Sequence, residues 1–246
     1  MEKNLVIDAY NTFFSSIHVA HSQGQKEFMV GSEIYDYWKH IVIQSWLARI
    51  QADEYKRVII AYDNKDGYFR HDIYPAYKAN RKKARQDSGI DFEEFLPILN
   101  DFIGELKEAF PMFHHLRVKK AEADDIAAIL AKTFSANGEL TRIITSDKDY
   151  IQLLQHPNIE IIEPIRKKKR TSLNPKKELK IKCVMGDKGD NIFAIKPRCG
   201  IKTAQKLVES GEIDELMLKF YESPESLTEE NLQIARRMQL NTELIS

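Results

Sequence analysis

Three short apolar runs, Leu5-Val6-Ile7, Val58-Ile59-Ile60-Ala61-Tyr62 and Ile143-Ile144-Thr145-Ser146, each lead directly into an acid, Asp8, Asp63 and Asp147. Unbroken apolar runs of this length fit strands covered on both faces, as in a parallel sheet. Between them the apolar positions change to a helical period: Ile34, Trp38, Ile41, Ser45 and Ala48, then Leu99, Phe102, Ile103 and Leu106, then Ile126, Ile129 and Leu130. Strands alternating with helices predict an α/β fold with a mostly parallel central sheet flanked by helices. In such sheets ligands sit outside the carboxyl ends of the strands, where Asp8, Asp63 and Asp147 are expected to converge. Ile159 to Ile162 reads as a further strand leading into a basic loop, Arg166 to Arg170. From Lys182 onward the pattern becomes short helical stretches, Thr203 to Glu209, Ile213 to Tyr221 and Leu227 to Leu240, joined by Gly and Pro. The expected organisation is therefore an α/β core over 1–181 and a helical module over 182–246 packed on it.

Charge changes this picture more than composition does. Lys and Arg number 37 and so do Asp and Glu, so the net charge is zero, but the signs are segregated. From Arg70 to Arg85 six cations face only Asp72, and from Arg166 to Lys182 nine face only Glu178. Basic stretches beside concentrated carboxylates suit a metal-dependent enzyme acting on a polyanion. Each basic run taken singly is equally well explained as a solvated loop. No apolar run is long enough to span a bilayer, and the first residues hold no signal-peptide core, so a cytoplasmic protein is expected. Cys183 and Cys199 offer neither a disulfide framework nor a metal knuckle.

The carboxylates come in groups. Glu122, Asp124 and Asp125 precede the apolar stretch from Ile126 to Leu130, where acids also favour a helix start through the dipole. Asp147 and Asp149 follow a strand, a spacing also common in Asp/Ser turns. Asp187 and Asp190 stand beside Gly186 and Gly189, as they could in an ordinary surface loop. Gathered at one sheet edge, these acids would repel one another strongly without cations. An oxygen-only donor set suits Mg²⁺ or Mn²⁺ rather than zinc. Two such ions would support in-line hydrolysis of a phosphodiester.

The ordered set of Val6-Ile7-Asp8, Tyr62-Asp63, Arg70-His71-Asp72-Ile73-Tyr74-Pro75-Ala76-Tyr77-Lys78-Ala79-Asn80-Arg81, Glu122-Ala123-Asp124-Asp125, Ser146-Asp147-Lys148-Asp149-Tyr150, and Gly186-Asp187 with Asp190-Asn191 resembles the structure-specific 5′ nucleases, or flap endonucleases, including the phage enzymes called ribonuclease H. The resemblance implies a PIN-like nuclease core, an arch over about 77–97, and a C-terminal helix-hairpin-helix-type module that grips duplex. It implies a first metal near Asp8, Asp63, Glu122 and Asp124, with Asp125 beside it, and a second near Asp147, Asp149, Asp187 and Asp190. Lys78 and Arg81 would act on the reacting phosphate, where a fixed cation can stabilise the transition state. Arg70, Tyr77, Lys82, Lys83 and Arg85 would contact the substrate strand, Tyr77 by stacking on a base. The basic loop residues Lys167, Lys168 and Lys169 would touch DNA.

The hairpin departs from the family's pattern. Ile195-Lys196-Pro197-Arg198-Cys199-Gly200-Ile201-Lys202-Thr203-Ala204 keeps only one of the two usual glycines, which leaves a K⁺ site there open. Lys196, Arg198, Gly200, Lys202, Thr203 and Lys206 could still hold backbone phosphates from a helix N-terminus. His114-His115 reads as core or turn rather than metal site, and Trp38 and Trp46 as packing residues. The function this implies is a metal-dependent 5′-3′ exonuclease and flap endonuclease on DNA and RNA/DNA duplexes, removing RNA primers or flaps in replication. The implied partners are flapped or nicked duplexes and a single-stranded-DNA-binding or other replication protein, the chain itself being a monomer. The alternative is a catalytically silent branched-DNA-binding protein of the same fold.

Overall fold

The computed structural model describes every residue except Phe28, Val30 and Lys167, and the side chain of Ala84. The chain divides into two compact units, one made of Met1–Phe69 and Lys83–Ser172, the other of Arg70–Lys82 and Leu173–Ser246.

The first unit is built on five parallel strands, β1 (Lys3–Asp8), β2 (Arg57–Tyr62), β3 (His114–Arg117), β4 (Leu140–Ile144) and β5 (Ile159–Ile162), in the order β3-β2-β1-β4-β5. Its long helices are α1 (Ala9–Glu27), α2 (Ser32–Ile50), α5 (Phe92–Ala109) and α6 (Ala123–Ala136). One face of the sheet, with Leu5, Ile7, Ile60 and Tyr62, packs against Phe13, Ile17, Trp38, Val42, Phe95, Leu99 and Phe102. The other, with Val6, Ile59, Ile143 and Ile161, packs against Ile126, Ala127, Ala131 and Phe134. Alternate residues of one strand therefore enter two cores, which is why these strands read as unbroken apolar runs. Each fully buried Leu, Ile or Phe contributes roughly 1.5–3 kcal/mol. Trp38 and Trp46 are core residues as expected, and Trp38 Nε1 donates to the Phe13 carbonyl at 3.0 Å.

The second unit holds two short helices of the basic stretch in whole or part, α3 (Phe69–Ile73) and the start of α4 (Arg81–Gln86), together with α7 (Pro175–Met185), α8 (Ile201–Glu209), α9 (Glu212–Glu222) and α10 (Glu229–Ile245). The expected boundary at 181/182 falls inside α7, a continuous helix that starts at Asn174, whose side chain accepts from the Lys177 N–H at 3.0 Å, and has Pro175 in its first turn. The segment expected as an arch over about 77–97 is likewise shared: residues up to Lys82 belong with the helical unit and those from Lys83 with the sheet unit. Asn241 organises the helical unit from within α10, its Nδ2 donating to the carbonyls of Cys183 and Phe193 at 2.7 and 2.8 Å. No helix among the described residues is long and apolar enough to cross a membrane.

Candidate metal centre

Strand order explains how the acids of the sheet unit meet. β1 lies between β2 and β4, with Asp8 opposite Ala61 and Ile7 opposite Ile144, so Asp8, Asp63 and Asp147 leave three adjacent strands on the same side. Asp8 is 6% exposed. Its Oδ1 accepts from the Asn11 N–H at 3.1 Å, starting α1 directly from the strand end, and its Oδ2 accepts from Tyr150 Oη at 3.1 Å and Thr145 Oγ1 at 3.2 Å. Burial, then the neighbouring charges of Asp63 and Asp147, push its carboxyl up to about 7, against the lowering effect of the Asn11 and Tyr150 hydrogen bonds. Tyr150 is held well above the ordinary phenol range by burial and by Asp8, Asp124 and Asp147, and so stays a donor to Asp8.

Glu122, 2% exposed, caps α6 in a reciprocal box in which its own N–H donates to Asp125 Oδ2 at 2.9 Å. Asp63 Oδ1 accepts from the Ala123 N–H at 2.7 Å, which fixes the β2 end against the start of α6. Asp124 Oδ1 accepts from the Asp125 N–H at 2.7 Å. Glu122, Asp124 and Asp125 present carboxylate oxygens within 4.8 Å of one another. Asp147 Oδ1 accepts from the Asp149 N–H at 2.9 Å, where a 3₁₀ turn, Asp149–Gln155, begins. The donors are oxygens only, and a divalent cation would offset the charge of a buried carboxyl whose charged neighbours are Asp63 and Asp147. The set therefore fits a hard divalent ion. Thr145, Tyr150 and Asn11, whose Oδ1 accepts from the Ser146 N–H at 2.7 Å, orient these groups and carry no charge that sequence reading could flag.

Asp187 and Asp190 stand in the helical unit, each with cations of its own. Lys182 Nζ lies 2.7 Å from Asp187 Oδ2. Burial raises the Asp187 carboxyl, but Lys182 and the Gly189 and Asp190 N–H groups outweigh it and hold the group below the usual range. Asp190 receives Arg81 at 2.6 Å, Lys78 Nζ at 3.9 Å and Tyr77 Oη at 3.3 Å. Lys78 adopts φ 58 while its N–H donates to the Asp190 carbonyl at 2.9 Å, a left-handed conformation that a lysine rarely takes. Gly186 turns the chain into this loop at φ 71, where a Cβ would lie 2.4 Å from the Ile192 carbonyl oxygen.

Two expected substrate contacts are instead interior. Arg70 is 5% exposed, and its Nε donates to the Leu244 carbonyl at 2.8 Å, tying the basic segment to the last turn of α10. Tyr77 is 3% exposed and packs under the Lys78 ammonium at 4.9 Å, so its ring offers no face to a base. Lys82, Lys83, Arg85, Lys168 and Lys169 are exposed, Arg85 lying over Phe14 and Phe92 and Lys169 bonded to Glu160. Lys167 lies outside the described residues. Around the hairpin Arg198, Gly200, Lys202 and Lys206 are exposed, Lys196 and Thr203 half-buried, and Gly200 caps α8. His115 belongs to an edge strand, β3, with its Nδ1 2.9 Å from Tyr62 Oη.

The family described as 5'-3' exonuclease, N-terminal resolvase-like domain, matches residues 3–183. The chain is 35% identical over 166 residues to ribonuclease H of Enterobacteria phage T4, an alignment covering 65% of this chain and 54% of that protein. It is 32% identical over 216 residues to the thermostable DNA polymerase I of Thermus thermophilus, covering 85% of this chain and 24% of the polymerase. It thus spans about half the first relative and about a quarter of the second. Its fold matches that of the bacteriophage T5 flap endonuclease, solved with DNA and metal ions, at TM-score 0.67 and 20% identity, over 99% of this chain and 89% of that one.

Proposed function

Because the chain belongs to the 5'-3' exonuclease family, we propose that it is a metal-dependent 5′ nuclease that hydrolyses phosphodiesters near the 5′ end of flapped or nicked DNA and RNA/DNA duplexes. The observation that carries this reading is the buried Asp8, flanked by Asp63 and Asp147 and held charged only at a cost. Mg²⁺ is the ion proposed, two per site, held by Asp8, Asp63, Glu122, Asp124, Asp125, Asp147 and Asp149. When bound, such ions lower the pKa of a water and offset charge on the reacting phosphate. The remaining work falls to the chain. Thr145 and Tyr150 hold Asp8 Oδ2 in one orientation, and the box of Glu122 and Asp125 fixes the start of α6. A ligand set ordered before the ion arrives loses less entropy on binding it.

The motif and their chemistry give Lys78 and Arg81 the reacting phosphate, and Asp187 and Asp190 are proposed as further acids of the reaction. Removal of RNA primers or flaps during replication is the setting proposed, which the ribonuclease H and polymerase relatives support. The exposed hairpin around Gly200 is proposed to hold duplex backbone.

The test is cleavage of a 5′-labelled flap duplex by wild type, Asp147→Asn and Asp187→Asn, in Mg²⁺ and in EDTA. Short products that vanish in EDTA and fall at least ~10²-fold in each variant are expected. Tight, structure-selective binding without cutting would instead establish a silent branched-DNA binder.

A further inference from the structure

Where β2 and β3 end, three side chains gather on one tyrosine of the sheet unit. Tyr62, the last residue of β2, lies opposite Arg117, the last residue of β3. The Arg117 guanidinium sits 5.4 Å from the Tyr62 ring centroid and the Lys107 ammonium 5.8 Å from it. The His115 ring stacks on the same ring at 5.9 Å and 15°. Burial and then, after the opposing effect of its Phe110 contact, the charge of Lys107 lower the His115 pKa, so this ring adds no charge at neutral pH.

These two cations differ from a group of others in the protein that have a carboxylate partner. Lys3, Lys39, Lys56, Arg57, Arg142, Lys169, Arg170, Lys177, Lys180 and Lys182 are all ion-paired. Among the described residues neither Lys107 nor Arg117 has a carboxylate within 4.0 Å. Their contacts are instead with the Tyr62 face and, for Arg117, a long 3.4 Å hydrogen bond to Tyr10 Oη. Two like charges on one neutral ring gain only a weak attraction from the ring face and nothing from a counter-charge. They remain open to an anion, and a guanidinium held against a ring loses little freedom in taking one.

Their position says which anion. Asp63 directly follows Tyr62, and the Tyr10 hydroxyl feels both Arg117 and Asp63. Arg117 therefore borders the carboxylate cluster, and Lys107 shares the Tyr62 ring with it. A polyanion drawn toward that cluster is repelled by it unless nearby cations offset the acids. We infer that Arg117 and Lys107 form a phosphate subsite that holds a phosphodiester neighbouring the one that is cut, with Tyr62 as its platform and Tyr10 steadying the guanidinium. The inference rests on the nuclease reading, and concerns a part of the site that neither the acid motifs nor the basic runs include.

The test is binding of a flap duplex in EDTA, followed by fluorescence anisotropy from 50 to 200 mM salt. Wild type is compared with Lys107→Gln, Arg117→Gln and their combination, since glutamine keeps the stem packed on Tyr62 and removes the charge. The double variant should bind ~10-fold more weakly, with the slope of log affinity against log salt shallower by about two. The loss should appear in affinity and KM more than in the saturated single-turnover rate, and Arg117→Lys should recover part of it. Neutral methylphosphonate placed at single linkages of the substrate should weaken wild type at the contacted position and leave the double variant unaffected there. Unchanged affinity and salt slope in the double variant, with wild type binding normally, would overturn the subsite and leave the nuclease reading standing. Failure of wild type to bind or cut the duplex would overturn both.

Discussion

Asp8→Asn should stabilise the metal-free protein above neutral pH and weaken it near pH 4. The Asp8 carboxyl is carried from its ordinary 3.8 to about 7 by burial and by the charges of Asp63 and Asp147. The folded state therefore holds its proton more tightly than the unfolded chain does. Between those two values the folded protein binds more protons, so stability falls as pH rises through this window. At ~1.36 kcal/mol per pH unit, the ionised Asp8 costs the fold ~4 kcal/mol by pH 8. Asparagine removes that charge and keeps an acceptor for Tyr150 and Thr145, but its amide must find a partner at a cost of ~1–2 kcal/mol. The variant should thus be ~2–3 kcal/mol more stable than wild type at pH 8, about equal to it near pH 5 and ~1 kcal/mol less stable at pH 4. The assay is urea unfolding in EDTA followed by tryptophan fluorescence. Both tryptophans, Trp38 and Trp46, lie in the core of the sheet unit, so the signal reports that unit. Mg²⁺ at pH 8 should stabilise wild type and narrow the gap. A difference that does not change sign with pH would refute the argument, because a simple loss of packing has no reason to cross zero.

Lys78→Ala should lower the saturated cleavage rate by ~10²-fold while changing duplex affinity less than about threefold, measured by single-turnover kinetics and by binding in EDTA. A change confined to KM would make Lys78 a tethering contact. Gly186→Ala should cost at least ~2 kcal/mol in thermal unfolding, because a Cβ at φ 71 would meet the Ile192 oxygen at 2.4 Å and Phe193 backbone atoms at 2.6 and 2.7 Å. Gly104→Ala, inside α5 with nothing within 4 Å, should instead stabilise by up to ~1 kcal/mol, and equal effects of the two would refute the steric argument.

The sequence showed the centre of the sheet and its acids because β1, β2 and β4 are covered on both faces and leave unbroken apolar runs. β3 escaped notice for the opposite reason. As an edge strand reading His-His-Leu-Arg, it has exposed His114 and Arg117 at its ends and no alternation to detect. α1 was hidden by small polar residues in its buried stripe, Thr12 and Ser16, which dilute the apolar period of Ala9, Phe13, Ile17 and Ala20. α7 was masked by lysines, since only Ile181, Cys183 and Val184 of its length are buried. Charge was the least legible property. Arg70 and Lys78 stand in one basic segment, yet one is an interior tie to a carbonyl and the other faces a carboxylate. A linear sequence records the sign of a side chain and omits its counter-charge, and the counter-charge decides whether a cation serves the fold or remains open to substrate. By that criterion Arg117, alone at the end of an edge strand, says more about phosphate binding than denser runs such as Lys176 to Lys182, where Lys177, Lys180 and Lys182 are each paired with a carboxylate of their own unit.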